Sequence, residues 1–206
     1  MSPLSPDSLC LADPPIRSDR LRVIVSYLQM NAPPHRRFLP PPQPGLVVAR
    51  AYEPTLSFYR YLYHTVGEPW LWHERRLMSD ETLTAIIRNP QVEVWVLYRR
   101  GTPAGFAEID RRDAPWVYLA YFGLIPDFIG QKLGPWFLDW IVATAWASDT
   151  VLFGVNTCTF DHPKAYNLYC RAGFTPLRHV TRLVKDPRRE GILPQNIAPH
   201  IPLADS

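Results

Sequence analysis

The stretch that decides the fold is Gly123-Leu-Ile-Pro-Asp-Phe-Ile-Gly-Gln-Lys-Leu-Gly134. It connects an apolar run at 116–125 to a second apolar segment at 134–147. We predict a strand buried on both faces, a short loop, and a buried helix with Pro135 in its first turn. The first N–H groups of such a helix have no partner within it and carry the positive end of the helix dipole. The loop is therefore predicted to bind an anion, with Lys132 adding a full charge.

Two interpretations of this loop are open at this stage. Small residues at Gly130 and Gly134 would let a diphosphate approach the main chain, but they would equally serve a tight turn with no ligand. The spacing matches neither the P-loop GxxxxGK[ST] nor the dinucleotide motif GxGxxG. Nucleoside triphosphates and NAD are therefore disfavoured.

Hydrophobic periodicity on both sides of the loop predicts alternating strands and helices. The predicted strands are 46–51, 92–97, 104–110, 116–125, 151–157 and 180–185, and the predicted helices are 54–66, 80–88, 134–147 and 163–172, the last capped by Asp161 or His162. This order indicates an α/β (α+β) domain built on a mixed sheet.

The domain is predicted to span residues 46–186, between two proline-rich flanks. Residues 1–45 hold ten of the 23 prolines, and we expect an extended arm with one strand at 21–30, suited to a sheet edge. Residues 187–206 are expected to form a tail that wraps the surface or moves freely.

Composition excludes several classes of protein. The net charge of +3 lacks the clustered basic footprint of a nucleic-acid binder. The three cysteines form no CxxC pair, which argues against a disulfide framework or a zinc site, so no metal is expected. The first residues do not resemble a signal peptide, and the longest apolar run is about half the ~20 residues of a membrane span. We expect a soluble, cytoplasmic protein that binds no membrane.

Two motifs resemble the GNAT superfamily of N-acetyltransferases. The first resembles its acetyl-CoA-binding motif, a strand ending in hydrophobic-x-Pro followed by [R/Q]-x-x-G-x-[G/A]; Leu124-Ile-Pro126 and Gly134 match, whereas Ile129 and Lys132 replace the Arg/Gln and the middle Gly. The second, 162–174, resembles N-x-x-A-x-x-L-Y-x-x-x-G-F, with His162 in place of Asn. The resemblance covers 46–185 and implies a mixed sheet flanked by helices, whose splayed central strands bind acetyl-CoA as co-substrate.

The resemblance also implies the cofactor residues. Acetyl-CoA would be bound by Phe122, Leu124, Ile129, Gly130, Gln131, Lys132, Leu133, Gly134, His162 and Tyr169. Tyr169 matches the family tyrosine that often protonates the departing thiolate, and a phenol with a pKa near 10 suits that step. Its place on the apolar face of its helix equally predicts a core residue.

The acceptor side is less defined by the sequence. Glu108, flanked by apolar residues, is a candidate general base if it faces the cleft; otherwise it is an exposed strand residue, and water takes the proton. Tyr63, Trp70 and Trp72 are candidate substrate-binding residues, because aromatic rings attract cationic amines. The acceptor is a small-molecule amine or, alternatively, a protein lysine or N-terminus. A non-catalytic acyl-CoA-binding module is the third alternative. By analogy with the family, the protein is also expected to form a homodimer.

Overall fold

The computed structural model describes residues 19–35 and 40–205. Within them, seven strands and four α-helices follow the predicted order. The strands are β1 (Arg20–Met30), β2 (Leu46–Ala51), β3 (Val92–Arg99), β4 (Thr102–Asp110), β5 (Trp116–Leu124), β6 (Leu152–Cys158) and β7 (Thr175–Lys185). The helices are α1 (Leu56–Gly67), α2 (Asp80–Ile87), α3 (Leu133–Ala145) and α4 (Ala165–Ala172). The predicted fold class, a mixed sheet flanked by helices, is confirmed.

The strands form one sheet in the order β2-β3-β4-β5-β6-β1-β7. Only β5 and β6 pair in parallel; every other neighbouring pair is antiparallel. The strand expected at 21–30 is present as β1, but its expected place at a sheet edge is wrong. Val25 pairs with Cys158 on one side and with Val180 on the other. An inner strand needs apolar residues on both faces, and β1 supplies them with Val23 on one face and Leu28 on the other.

Helices cover the two faces of the sheet. On one face, α1 and α2 bury Leu62 and Leu83 against Val94 and Phe106. Thr55 begins α1 by accepting a hydrogen bond from the N–H of Phe58, as a helix N-cap does. On the other face, α3 and α4 pack on β1, β5 and β6; their buried residues include Phe137, Ile141, Ala172, Val117, Leu28 and Phe153. The site described below lies where the sheet between these two helix layers opens.

The sheet parts between its two parallel strands. The β5–β6 pairing begins at Trp116 and Leu152 and stops at Leu119 and Val155, so the later residues of both strands diverge. A one-residue register shift opposite Glu108 and Ile109 bends β5 at the same point. The end of β5 was expected to be buried on both faces; it is partly exposed, because a gap and not a strand lies beside it.

The C-terminal segment is held by one buried ion pair. Arg188 is 2% exposed and is bound at 2.9 and 3.0 Å by the Asp186 carboxylate. The same guanidinium donates to the carbonyl oxygens of Ile197, Ala198, Ile201 and Pro202. Leu193 and Ile201 then pack on Leu21 and Leu71. Of the two forms expected for this tail, the structure shows the one that wraps the surface.

Candidate active site

A cavity of about 1090 Å³ fills the gap between β5 and β6. Its walls come from the divergent strand ends, the loop that opens α3, α4, and the segment joining α1 to α2. The gap thus brings together residues that the sequence places more than a hundred positions apart, from Tyr63 to Tyr169. Both motifs identified in the sequence open into it.

The predicted anion-binding loop has an unusual backbone. Gly130 and Lys132 both adopt positive φ, 84° and 60°. Lys132 occupies the N-cap position of α3, and no side chain caps the helix. A left-handed residue other than glycine costs about 1–2 kcal/mol. Lys132 therefore adopts the left-handed conformation at a position where the family motif has glycine, at a cost in stability. The first N–H groups of α3 are left open to the cavity.

Most of the candidate cofactor residues lie at the cavity wall. Nine of the ten candidate cofactor residues line the cavity: Phe122, Leu124, Ile129, Gly130, Lys132, Leu133, Gly134, His162 and Tyr169. Gln131 does not line it, because its side-chain amide donates a 2.8 Å hydrogen bond to the carbonyl of Asp127. A Cβ on Gly134 would lie 3.7 Å from Leu124 and 3.9 Å from Leu168, which is ordinary contact. An alanine therefore fits there without a clash.

Tyr169 combines the two interpretations left open by the sequence. It is buried between the rings of Phe122 and Phe174, with centroids at 6.3 and 5.8 Å, and it also lines the cavity. Burial, reinforced by Asp161, raises the pKa of Tyr169 well above its ordinary value. The phenol therefore carries its proton throughout the neutral range, and it is a weaker acid than the unperturbed value assumed from the sequence.

Glu108 lies beneath the cavity and does not line its wall. Its carboxylate is fully buried; it accepts hydrogen bonds from the Tyr59 hydroxyl and, at 2.5 Å, from the Arg75 guanidinium. Burial raises the pKa of Glu108, while Arg75 and Tyr59 act to lower it. Because a guanidinium faces the carboxylate at contact distance, we treat Glu108 and Arg75 as an ion pair.

The three candidate acceptor residues, Tyr63, Trp70 and Trp72, all line the cavity. Trp72 lies flat against the end of α1, where a Cβ on Gly67 would overlap its ring. Its indole N–H donates to Asp161 at 3.3 Å. Trp70 packs edge-on against His162 and His200, 5.3 Å from each.

Two cavity residues were missed by sequence reasoning. Tyr121 lies in a run that the sequence predicts to be buried, yet its hydroxyl donates at 2.9 Å to the exposed carboxylate of Glu74, and both residues line the cavity. Asp161 was expected to cap α4. Instead, its carboxylate accepts 2.8 Å hydrogen bonds from the Thr157 hydroxyl and from the Cys158 N–H at the end of β6. Tyr121 had no local signal in the sequence, because Glu74 lies 47 positions away along the chain.

Cys158 also faces the cavity, but its chemistry is unfavourable for a nucleophile. Burial, with the nearby Asp161 carboxylate, raises the pKa of the Cys158 thiol to about 12. A thiol is nucleophilic only as the thiolate. Across residues 19–35 and 40–205, no three His, Cys, Asp or Glu side chains gather as a metal ion would require. In the same ranges, no helix has the length and apolar character needed to cross a bilayer.

A mixed sheet parted between two parallel strands, with an uncapped helix start at the gap, is the arrangement of the GNAT fold. The family model described as the acetyltransferase (GNAT) family matches residues 56–174. Since the match covers more than half of the chain, this protein belongs to the GNAT acetyltransferase family. No curated protein matches it.

Solved structures share this fold at low sequence identity. A functionally unknown conserved protein from Staphylococcus epidermidis superposes with a TM-score of 0.57 at 13% identity, over 81% of this chain and 63% of its own. A protein from Novosphingobium aromaticivorans described as a GNAT-family acetyltransferase gives 0.54 at 17%, over 81% and 66%. A GCN5-related N-acetyltransferase from Kribbella flavida gives 0.52 at 14%, over 80% and 58%. The chain thus spans less than two thirds of the length of these structures.

Proposed function

We propose that this protein is an N-acetyltransferase that moves an acetyl group from acetyl-CoA to a primary amine of a small molecule. The observation that carries the proposal is the position of α3. Its uncapped N-terminus and the glycine-containing loop before it open into a cavity that also holds Tyr169. Backbone N–H groups at a helix start, aided by Lys132, suit the diphosphate of CoA. From there the pantetheine arm would run between the divergent ends of β5 and β6.

Transfer would proceed by direct attack in a ternary complex. The neutral amine attacks the thioester carbonyl, a C–N bond forms, and the C–S bond breaks to release the CoA thiolate. The carbonyl oxygen would be polarised by main-chain N–H groups that the divergence of β5 from β6 leaves unpaired. Tyr169 would donate its proton to the thiolate. Because its pKa is raised, the phenol must recover a proton as the product amide nitrogen loses one, so that no tyrosinate persists.

The proton that the incoming ammonium loses has two candidate acceptors. Water in the open cavity reaches the amine directly. Glu108, the base expected from the sequence, reaches it only after Tyr59 or Arg75 gives up a hydrogen bond. The geometry favours water as the immediate acceptor, with Glu108 as the residue that fixes Arg75 in place.

A small cationic amine fits the acceptor wall. Tyr63, Trp70 and Trp72 line this wall; the two tryptophans are partly exposed and Tyr63 is buried. Glu74 adds an exposed carboxylate that accepts a hydrogen bond from Tyr121. Aromatic faces attract cations by about 0.5–1 kcal/mol each at exposed sites, and a carboxylate adds an ion pair. Acetylation of a protein lysine or N-terminus, and acyl-CoA binding without transfer, are outcomes that the following experiments detect.

The first experiment compares two substitutions of one glycine. Gly134→Glu places a long, negative side chain against the diphosphate, whereas Gly134→Ala adds only a methyl group in ordinary contact. Acetyl-CoA should raise the melting temperature of the wild type and of the alanine variant by ligand linkage, but not that of the glutamate variant. ATP and NAD should raise none of them. Normal calorimetric binding of acetyl-CoA to Gly134→Glu would show that the loop is not the cofactor site.

The second experiment tests transfer itself. Release of the CoA thiol is followed with a panel of small amines, lysine peptides and peptides with free N-termini, for the wild type and Tyr169→Phe. The phenylalanine variant keeps the ring and its packing, so acetyl-CoA binding should be unchanged while kcat falls by about 10²–10⁴. Tight acetyl-CoA binding with no thiol release from any acceptor would identify a binding module. An unchanged kcat, with chemistry rate-limiting, would show that Tyr169 has only a packing role.

A further inference from the structure

The face of the sheet that carries the acceptor wall continues across β6, β1 and β7. The pairing registers place Tyr27 opposite Asn156 of β6 on one side and opposite Arg178 of β7 on the other. Directly paired residues share a face, and so do alternate residues of one strand. Val23, Val25 and Tyr27 of β1 therefore share this face with Arg182, and all four line the cavity. The cavity extends as a groove from the acceptor wall to the last strand.

Arg182 lines the far end of this groove, and Arg178 lies near it across the Tyr27 ring. The Arg182 guanidinium donates a 2.8 Å hydrogen bond to the Tyr27 hydroxyl, and that of Arg178 lies over the Tyr27 ring at 4.7 Å. Both arginines are exposed. Tyr27 thus contacts both guanidinium groups, and within residues 19–35 and 40–205 no carboxylate pairs with either of them.

These arginines are separate from the expected diphosphate site. The α3 and α4 helices pack on the face of β1 that carries Leu28 and Met30. Tyr27, before the register shift in β1, lies on the opposite face with Arg178 and Arg182. The diphosphate loop and the two arginines are therefore on different sides of the sheet. An anion bound by the arginines would belong to the acceptor and not to CoA.

Charge is thus divided along the groove. Its near end has the exposed Glu74 carboxylate beside the aromatic rings, and its far end has Arg182. Three inter-strand spacings separate β5 from β7, which amounts to at least about 14 Å because β5 and β6 diverge here. An acceptor that fills the groove would carry its amine at one end and a negative group at the other.

From this charge division we infer that the acceptor is an elongated amine with an anionic group remote from its nitrogen, bound by Arg182 and Arg178. This inference rests on the proposed function. The amine would meet Glu74 and the aromatic wall, the body would lie on Val23, Val25 and Tyr27, and the anion would meet the two guanidinium groups. Charge-assisted hydrogen bonds to carboxylate or phosphate favour arginine in this position.

The test measures binding independently of turnover. Linear ω-amino carboxylates of increasing chain length, and their methyl esters, are titrated by calorimetry into the protein saturated with CoA. The wild type should bind the longer carboxylates about three- to fivefold more tightly than their esters, and the preference should grow at low ionic strength. Arg182→Gln should abolish the preference without changing acetyl-CoA affinity. Arg88→Gln, which removes an exposed arginine at the end of α2, is the matched control and should retain the preference.

Each outcome separates this inference from the proposed function. Equal affinities for carboxylate and ester in the wild type, or an unchanged preference in Arg182→Gln, would overturn the inference while thiol release with other amines continued. A carboxylate preference that depends on Arg182, without thiol release from any amine, would support the anion site and overturn the transferase. A loss of acetyl-CoA affinity in Arg182→Gln would assign the arginine to CoA and overturn the inference. Folding is checked by melting, and Tyr27→Phe, which releases Arg182, should weaken the preference in part.

Discussion

Replacing Glu108 with glutamine separates a structural role from a catalytic one. The carboxylate is fully buried and binds Arg75 at 2.5 Å, and the Arg75 side chain is itself only 8% exposed. Removing one partner of a buried ion pair leaves an uncompensated charge and costs about 3–5 kcal/mol. In a chain of this size each kcal/mol lowers the melting temperature by about 2–4 °C, so Glu108→Gln should melt about 6–20 °C below the wild type.

The assay combines thermal melting with the pH dependence of kcat/KM. If Glu108 acts only through Arg75, the folded fraction of Glu108→Gln should keep the acidic limb of the wild-type profile. The double variant Glu108→Met with Arg75→Met should recover much of the lost stability, because two well-packed apolar side chains replace both charges. A loss of stability below about 1 kcal/mol, together with a displaced acidic limb, would refute the structural role and identify Glu108 as the base.

Two further predictions concern backbone strain and acid stability. Lys132→Gly should raise the ligand-free melting temperature by about 2–8 °C, because glycine adopts the left-handed conformation without strain, whereas Lys132→Gln should not. Equal melting temperatures for the two variants would contradict this. Burial alone would raise the pKa of Asp186, but hydrogen bonds from Arg188 and from the N–H of Ala204 bring it below the ordinary value. A carboxylate whose pKa is lowered by folding stabilises the folded protein at pH values above its unfolded-state pKa, and this contribution is lost as the pH falls. Amide exchange in residues 193–204 should therefore accelerate below about pH 4. Asp186→Asn should show fast exchange already at neutral pH; slow exchange there would contradict the role given to the ion pair.

Local sequence patterns were sufficient to predict the helices, strands and turns that are formed by residues close together in the chain. The run at 116–125, the loop and the helix after it follow from apolar periodicity and glycine placement, and the structure has them as β5 and α3. The second motif likewise predicted α4, with Gly173 at its end in the left-handed conformation. These signals are local because hydrogen bonds and caps within one helix involve residues only a few positions apart.

The features that the sequence did not reveal depend on distant partners. Arg75 and Glu108 are 33 residues apart, and nothing in the GFAEI context of Glu108 indicates that a guanidinium meets it. The raised pKa of Tyr169 results from burial by other elements, so a motif match could supply its identity but not its acidity. The position of β1 was misjudged for the same reason, because pairing with two strands at the opposite end of the chain leaves no trace in a short window.

The insertion of β1 between β6 and β7 has a consequence for how the chain folds. Tyr27 and Arg182 lie 155 residues apart, and the β1–β7 ladder runs from Arg20 to Gln29 of β1. The last two strands, β6 and β7, do not pair with each other. Each pairs with β1, which lies near the start of the chain. Such a high contact order predicts slow folding, with sheet closure as a late step. Until closure, β6 exposes an unpaired edge that β1 from a second copy could fill, so domain-swapped dimers are the expected by-product of refolding at high concentration.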